Sequence, residues 1–329
     1  MKRYAMFLST LSVLCLSGIL GFFGAAAAQT ADTELVFYDS LVLNSEGETV
    51  LTGGVYADAE QAGVLRRIRS EKGAAAVPAD GYYHMRLVAD AAALGRAADF
   101  ANLLLKHEAF ASIRDRFRFE YVLGDPALMN CRNDVPQSPR IIRCDMGYVL
   151  SLGTGPAHLT GVFTSRGSGG AGGDVPISSL DYPLNTMLHE VLHVWTLNDE
   201  YIYSQSEADY YCSYPRMLKG PNTSSFPALA AYGSNSDAVQ RHTADIPWLA
   251  RIKLPVTSAG ADGVFTLGTP ASLADRTRPG LFSGANCSLK FPSFRPYGVD
   301  NIMKTLSTTF IPPIQKEAVL AEIARVAGW

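Results

Sequence analysis

The stretch that most limits how this chain can fold runs from residue 184 to residue 197, L-N-T-M-L-H-E-V-L-H-V-W-T-L. It is apolar almost all round, through Leu184, Met187, Leu188, Val191, Leu192, Val194, Trp195 and Leu197. Its one polar stripe, Asn185, His189, His193 and Thr196, recurs at helical spacing. Such a helix belongs in a core, and a polar stripe in a core costs desolvation unless it faces a cleft or a ligand. Pro183, just before it, suits a first helical turn. The segment contains H-E-V-L-H. Residues four apart share a helix face, so His189 and His193 can bind one metal ion, with Glu190 beside it as a proton carrier. Zinc, Zn2+, suits this donor set because imidazole binds it well and a catalytic site keeps one position open for water. The plain alternative is a core helix whose two histidines are only hydrogen-bonded. With 6 histidines in 329 residues, a chance pattern of this kind is uncommon.

The chain opens Met-Lys-Arg, continues apolar from Tyr4 to Phe23, and reaches an Ala-rich exit ending at Ala28. This reads as a secretory signal peptide over 1–28, with an uncleaved anchor helix as the alternative. No later stretch is long and apolar enough to span a membrane, so no membrane span is expected after signal cleavage, and the expected location is secreted or periplasmic. Four cysteines remain beyond Cys15, and an even number in an exported chain suggests disulfides. Cys131 and Cys144 flank a Pro-rich loop and could close it, which leaves Cys212 with Cys287. A four-cysteine zinc site lacks any CxxC pair. At 47% apolar and 18% charged the composition is that of a globular protein with ample core. The net charge of −3, spread along the chain, offers no nucleic-acid surface.

Residues 34–56 read as extended, with a turn at Asn44–Gly47, and define a short N-terminal β portion over 29–79 that ends in an Ala/Gly/Pro stretch. Residues 86–106 carry helical periodicity, followed by a further helical stretch and a strand over 117–123. Residues 125–145 read as a long loop, and 147–152 and 158–164 as strands. The run S-R-G-S-G-G-A-G-G-D, 165–174, lacks the following Lys of a phosphate loop and reads as a flexible loop at the rim of the metal cleft, with the edge of the preceding strand open to an extended peptide. Residues 204–233 read as an irregular surface loop, 245–253 as a short helix packing through Trp248, 264–267 as a strand and 312–326 as a helix. His84, His107 and His158 lack ligand spacing and read as surface or element-end residues.

Several stretches, in order, resemble the IgA peptidase family of secreted bacterial zinc metallopeptidases. They are L-L-K-H-E-A-F-A-S-I-R-D-R-F-R-F, G-G-A-G-G-D-V-P-I-S-S followed by Y-P-L-N-T-M-L-H-E-V-L-H, L-N-D-E-Y, G-L-F-S-G-A-N-C, F-R-P-Y-G-V-D-N-I-M-K and T-F-I-P-P-I-Q-K-E-A-V. The resemblance covers about residue 80 to the C terminus. It implies a zinc metallopeptidase domain over 80–329 with a metzincin-like α+β core, a twisted sheet plus the metal-binding helix. The chain departs from the family at Leu192, where members often have glycine, and in a run to D-E-Y one residue shorter; at Thr196 it departs from the many related zinc peptidases that have glycine there.

The expected activity is a secreted zinc-dependent endopeptidase that hydrolyses peptide bonds by Glu190-assisted attack of zinc-bound water on a protein or peptide substrate. A cell-wall amide hydrolase and a non-enzymatic exported binding domain with a structural metal site are the alternatives. The third ligand is expected six residues after the second histidine, at Asp199, brought back by a sharp turn. Asn198 tolerates the left-handed backbone such a turn needs, whereas Thr196 resists it. Glu200 is the alternative ligand, with Glu207 and His242 more remote. Met303, with Met217 as competitor, is expected to form a methionine turn beneath the histidines. Tyr201, Tyr297 and Arg295 are candidates, by position alone, to steady an oxyanion.

Overall fold

The structure, a computed structural model, describes two strands over 36–43 and 49–55 and residues 80–329 apart from 137, 154–155, 213–218 and 261–262. The expected signal segment 1–28, the turn at 44–47, the Ala/Gly/Pro stretch and Met217 lie outside the described residues.

Val36–Leu43 (β1) and Thr49–Val55 (β2) form an antiparallel hairpin. Tyr83–Ala89 (β3) follows, then the helix Leu94–Lys106 (α1) and Phe117–Leu123 (β4). β4 lies parallel to β3 and accepts β1 antiparallel on its other edge, so the hairpin extends the main sheet. Next come the helical turn Pro126–Met129 (α2), the two-residue strands Arg132–Asn133 (β5) and Ile142–Arg143 (β6), and the turn Met146–Val149 (α3). Leu159–Thr164 (β7), Gly170–Ala171 (β8) and Ile177–Ser179 (β9) complete a mixed sheet in the order β2-β1-β4-β3-β7-β9-β8. β7 is parallel to both β3 and β9, and β8 runs antiparallel at the edge.

Side-chain alternation assigns the two faces of this sheet. Tyr83, Met85, Leu87 and Ala89 of β3 point into the main core with Phe100 and Leu104 of α1. The helix Asn185–Val194 (α4) and the C-terminal helix Pro313–Ala327 (α7) lie on that same side, through Leu188, Leu192, Val319 and Ile323. Val88, Val122, Val162 and Ile177 face the other way and pack on Met129, Ile142 and Val149, beside the Cys131–Cys144 disulfide. The result is an α+β fold in which α4 is sealed against one sheet face.

Beyond α4 stand Gln205–Tyr211 (α5), Lys219–Gly220 (β10), Thr223–Ser225 (β11), Asn235–His242 (α6), Thr257–Ala259 (β12), Phe265–Leu267 (β13), Phe282–Ser283 (β14) and Ser293–Arg295 (β15). The part from Phe226 onward holds a second core around Trp248, Phe294 and Tyr297, while α5 packs in a smaller cluster with Tyr203 and Cys287. The Cys212–Cys287 disulfide ties the end of α5 to this part. Both expected pairings are formed, as an extracytoplasmic, oxidising compartment permits. Among the described residues no helix is long and apolar enough to cross a membrane.

Several local expectations are corrected. Residues 86–89 belong to β3, because a strand buried on both faces shows a continuous apolar run that periodicity cannot separate from a helix. The helical stretch after Lys106 is two 3-10 turns, 108–110 and 114–116. Residues 146–149 form a helical turn, since Asp145 accepts the Tyr148 N–H at 3.0 Å as an N-cap. The loop 204–233 contains α5, whose start is fixed by a capping box between Ser204 and Glu207.

Candidate metal centre

Aromatic packing and a sharp C-terminal turn fix α4. Trp195, fully buried, donates Nε1–H to Tyr83 Oη at 2.8 Å and meets Phe110 and Phe117 edge-on or tilted. The helix ends in a Schellman motif. Leu197 N–H bonds Leu192 O and Thr196 N–H bonds His193 O, both at 3.0 Å. The left-handed position is Thr196, with φ of 79°, and not Asn198 as the sequence suggests. Fold and loop together hold a β-branched residue where glycine is the usual choice. Because Thr196 is exposed, Thr196→Gly sacrifices no packing. Weighing left-handed strain against glycine's backbone entropy, it should stabilise the fold by about 0.5–1 kcal/mol, read as a raised denaturant midpoint.

That turn brings Asp199 back over the helix. Asp199 Oδ1 lies 2.9 Å from His189 Nε2 and 3.2 Å from His193 Nε2, and the two Nε2 atoms are 3.2 Å apart. Each ring is oriented from behind: His189 Nδ1 donates to Ile302 O at 2.9 Å, and His193 Nδ1 to Leu197 O at 2.8 Å. Carbonyl partners put the protons on Nδ1, so both Nε2 lone pairs face the carboxylate oxygen. Asp199 Oδ2 accepts from Tyr203 Oη at 2.7 Å, while Oδ1 is buried without a hydrogen-bond partner. Three electron-rich atoms converging in a buried site repel one another unless a cation or a shared proton lies between them. Burial opposes charge on His193, yet Asp199 pushes it up to about 9, and the imidazoles hold the Asp199 carboxyl well below the usual range despite its burial. A metal ion fits this donor set. His189, Glu190 and His193 together could hold one, with ligand atoms all within 4.8 Å.

Glu190 is 7% exposed, and burial pushes its carboxyl up while His189 and His193 pull it down. A carboxylate raised this way is a better base near neutral pH. The glycine run lies directly over it. A Cβ on Gly170 would stand 2.6 Å from Thr186 Cγ2 and 2.7 Å from Glu190 Oε1, and one on Gly172 would stand 3.0 Å from His193 Cδ2. These residues are thus not a free rim loop: Gly170 is in the edge strand β8, pressed onto the metal helix. The edge expected from β7 belongs to β8, because β7 is enclosed between β3 and β9. Gly170→Ala should destabilise the fold by about 1–3 kcal/mol and displace the Glu190 carboxylate, so that thermal midpoint and turnover fall together.

A cavity of about 190 Å³ opens beside the site. It is lined by His189, Glu190, Thr186, Tyr201, Ile302 and Lys304, with Arg140 from the loop between β5 and β6.

Other sequence candidates are not among the three converging atoms. Glu200 is fully buried and accepts from Asn222 at 3.0 Å, Asn301 at 2.8 Å and Gln315, while burial pushes its carboxyl up to about 7. It knots four segments together behind the site. Glu207 caps α5 and pairs with Arg140. His242 bonds Tyr232 Oη at 2.6 Å in the second core. Arg295 donates to the Glu200 and Gly284 carbonyls, and Tyr297 Oη accepts from Ile314 N–H, so neither faces the cavity. Met303 is fully buried in the main core, and its carbonyl accepts the Glu200 N–H at 2.7 Å. Sequence reasoning missed Arg140 and Tyr203. Tyr203, four residues past Asp199, could have been sought as its hydrogen-bond partner; Arg140 carries no comparable signal.

The chain is therefore an α+β protein with a buried HExxH-type His–Glu–His group on one helix, able to bind a metal. No protein-family model matches it, and no curated protein matches it.

Proposed function

We propose that this chain is an exported zinc endopeptidase of the kind its sequence resembles, the IgA peptidase family. The observation that carries this reading is the convergence of His189 Nε2, His193 Nε2 and Asp199 Oδ1 within 3.2 Å, with Glu190 beside them. His189, His193 and Asp199 are the three ligands, which leaves the open position typical of catalytic zinc. Zinc bound there would supply a Lewis acid and make water a nucleophile near neutral pH. Glu190 takes a proton from the attacking water and delivers it to the departing amine. The Ile302 and Leu197 carbonyls and the Tyr203 hydroxyl hold the ligands in register. Met303, in the main core with Leu188 and Leu192 of α4, would be the methionine turn beneath the histidines; next to it the Ile302 carbonyl orients His189 and the Met303 carbonyl receives the Glu200 N–H. An extended substrate would lie along β8 from Ala171 onward, since Gly170 is already bridged to Ile141.

Incubation of the zinc-loaded chain with a mixed peptide library and with purified cell-wall peptides, products read by mass spectrometry, tests the substrate class. Cleavage of internal peptide bonds in the library is expected. Cleavage confined to cell-wall amides would reassign it as a cell-wall hydrolase, and no cleavage of either would leave a binding domain.

A further inference from the structure

Arg140 lines the same cavity as Glu190, and its backbone and guanidinium are both tied down. It lies in the loop closed by the Cys131–Cys144 disulfide. Its carbonyl accepts Gly170 N–H at 3.2 Å, which fastens that loop to the strand over Glu190. Its guanidinium is braced by Glu207 through Nε at 3.0 Å and Nη2 at 2.9 Å, and Glu207 is held in turn by Ser138 and by the cap of α5. Nη2 also donates to Tyr201 Oη. The Tyr201 ring lies against His189, centroids 6.3 Å apart, and both residues line the cavity with Glu190.

Guanidinium has donors only, so the Tyr201 oxygen must accept from it, which frees the phenolic O–H to donate elsewhere. The charge behind that oxygen makes the O–H a stronger donor. Arg140 Nη1 has no hydrogen-bond partner among the described residues. We propose that Arg140 and Tyr201 act as one donor pair that stabilises the oxyanion formed on the substrate's scissile carbonyl. The proposal rests on the peptidase reading above. In the step it serves, a water oxygen bonds the carbonyl carbon, the C=O π pair moves onto oxygen, and the proton lost by water goes to Glu190. When the C–N bond breaks, the pair on oxygen re-forms C=O and the amine leaves with the Glu190 proton. Donors matched to the charged oxygen, and not to the neutral carbonyl, lower the barrier without tightening ground-state binding.

The test uses the zinc-loaded full chain and a peptide it cleaves. Arg140→Gln and Tyr201→Phe should each lower kcat by about 100-fold with KM within about threefold and zinc content unchanged. The double variant should be little worse than either alone, because the pair acts as a unit. Affinity for a phosphinic analogue of the same peptide, measured by calorimetry, should fall by a similar factor. Tyr201→Phe removes one oxygen atom and keeps the test valid if Arg140→Gln misfolds. A kcat within threefold of the parent in the folded variants, a loss confined to KM, or unchanged phosphinate affinity would each overturn the pair. A parent chain that cleaves no peptide would instead overturn the peptidase reading, and the pair with it.

Discussion

Glu190→Ala is expected to retain the fold and its zinc while losing at least about 1,000-fold in peptide hydrolysis. The carboxylate takes no part in the Nδ1 bonds that orient His189 and His193, so their geometry should persist without it. What disappears is, among the described residues, the one buried carboxylate beside the imidazoles that does not itself meet both Nε2 atoms, and with it the proton path from water to amine. Zinc content by elemental analysis and turnover of a cleaved library peptide measure the two halves of this result. Parent-like turnover in a zinc-replete variant would remove Glu190 from the mechanism.

Asp199→Ala is expected to lower zinc affinity by more than about 100-fold, beyond the loss usual for residues that only orient a ligand. Two imidazoles alone make an incomplete set for catalytic zinc. The same change leaves the Tyr203 hydroxyl without its buried acceptor, so a smaller loss of stability should accompany it. Glu200→Ala is the instructive comparison. Its carboxylate bonds Asn222, Asn301 and Gln315, so its removal should loosen the surrounding segments while zinc affinity falls far less. Competition against a chromophoric chelator ranks the two variants. Equal affinity in Asp199→Ala and the parent would give the third position to another residue.

The parts of the site legible in the sequence are those whose geometry is local. Helical spacing alone places His189 and His193 on one face, and a short run after the helix suffices to return Asp199 to them. The same locality makes the Cys131–Cys144 loop readable. Thr196 shows the limit of propensity: its side chain argues against a left-handed bend, yet the Schellman bonds and the burial of Trp195 and Leu197 on either side impose one. Arg140 was hidden for a different reason. It lies far from the histidines in sequence, and only the parallel order of β3, β7 and β9, with β8 turned back beside them, brings its loop over Glu190. β3 itself was misread in part because burial on both faces erases the alternation that marks a strand. Two-residue strands such as β8 leave no periodic trace at all, although the glycines that permit its close approach to Glu190 were visible as composition.

Zinc dependence of peptide cleavage is the most direct test of the whole account. The purified chain, stripped with a chelator and titrated with zinc, should regain hydrolysis of library peptides in proportion to metal bound and saturate at one zinc per chain, with His189→Ala failing to recover over the same range. Cleavage that survives complete removal of metal, or saturation with zinc that restores none, would contradict it.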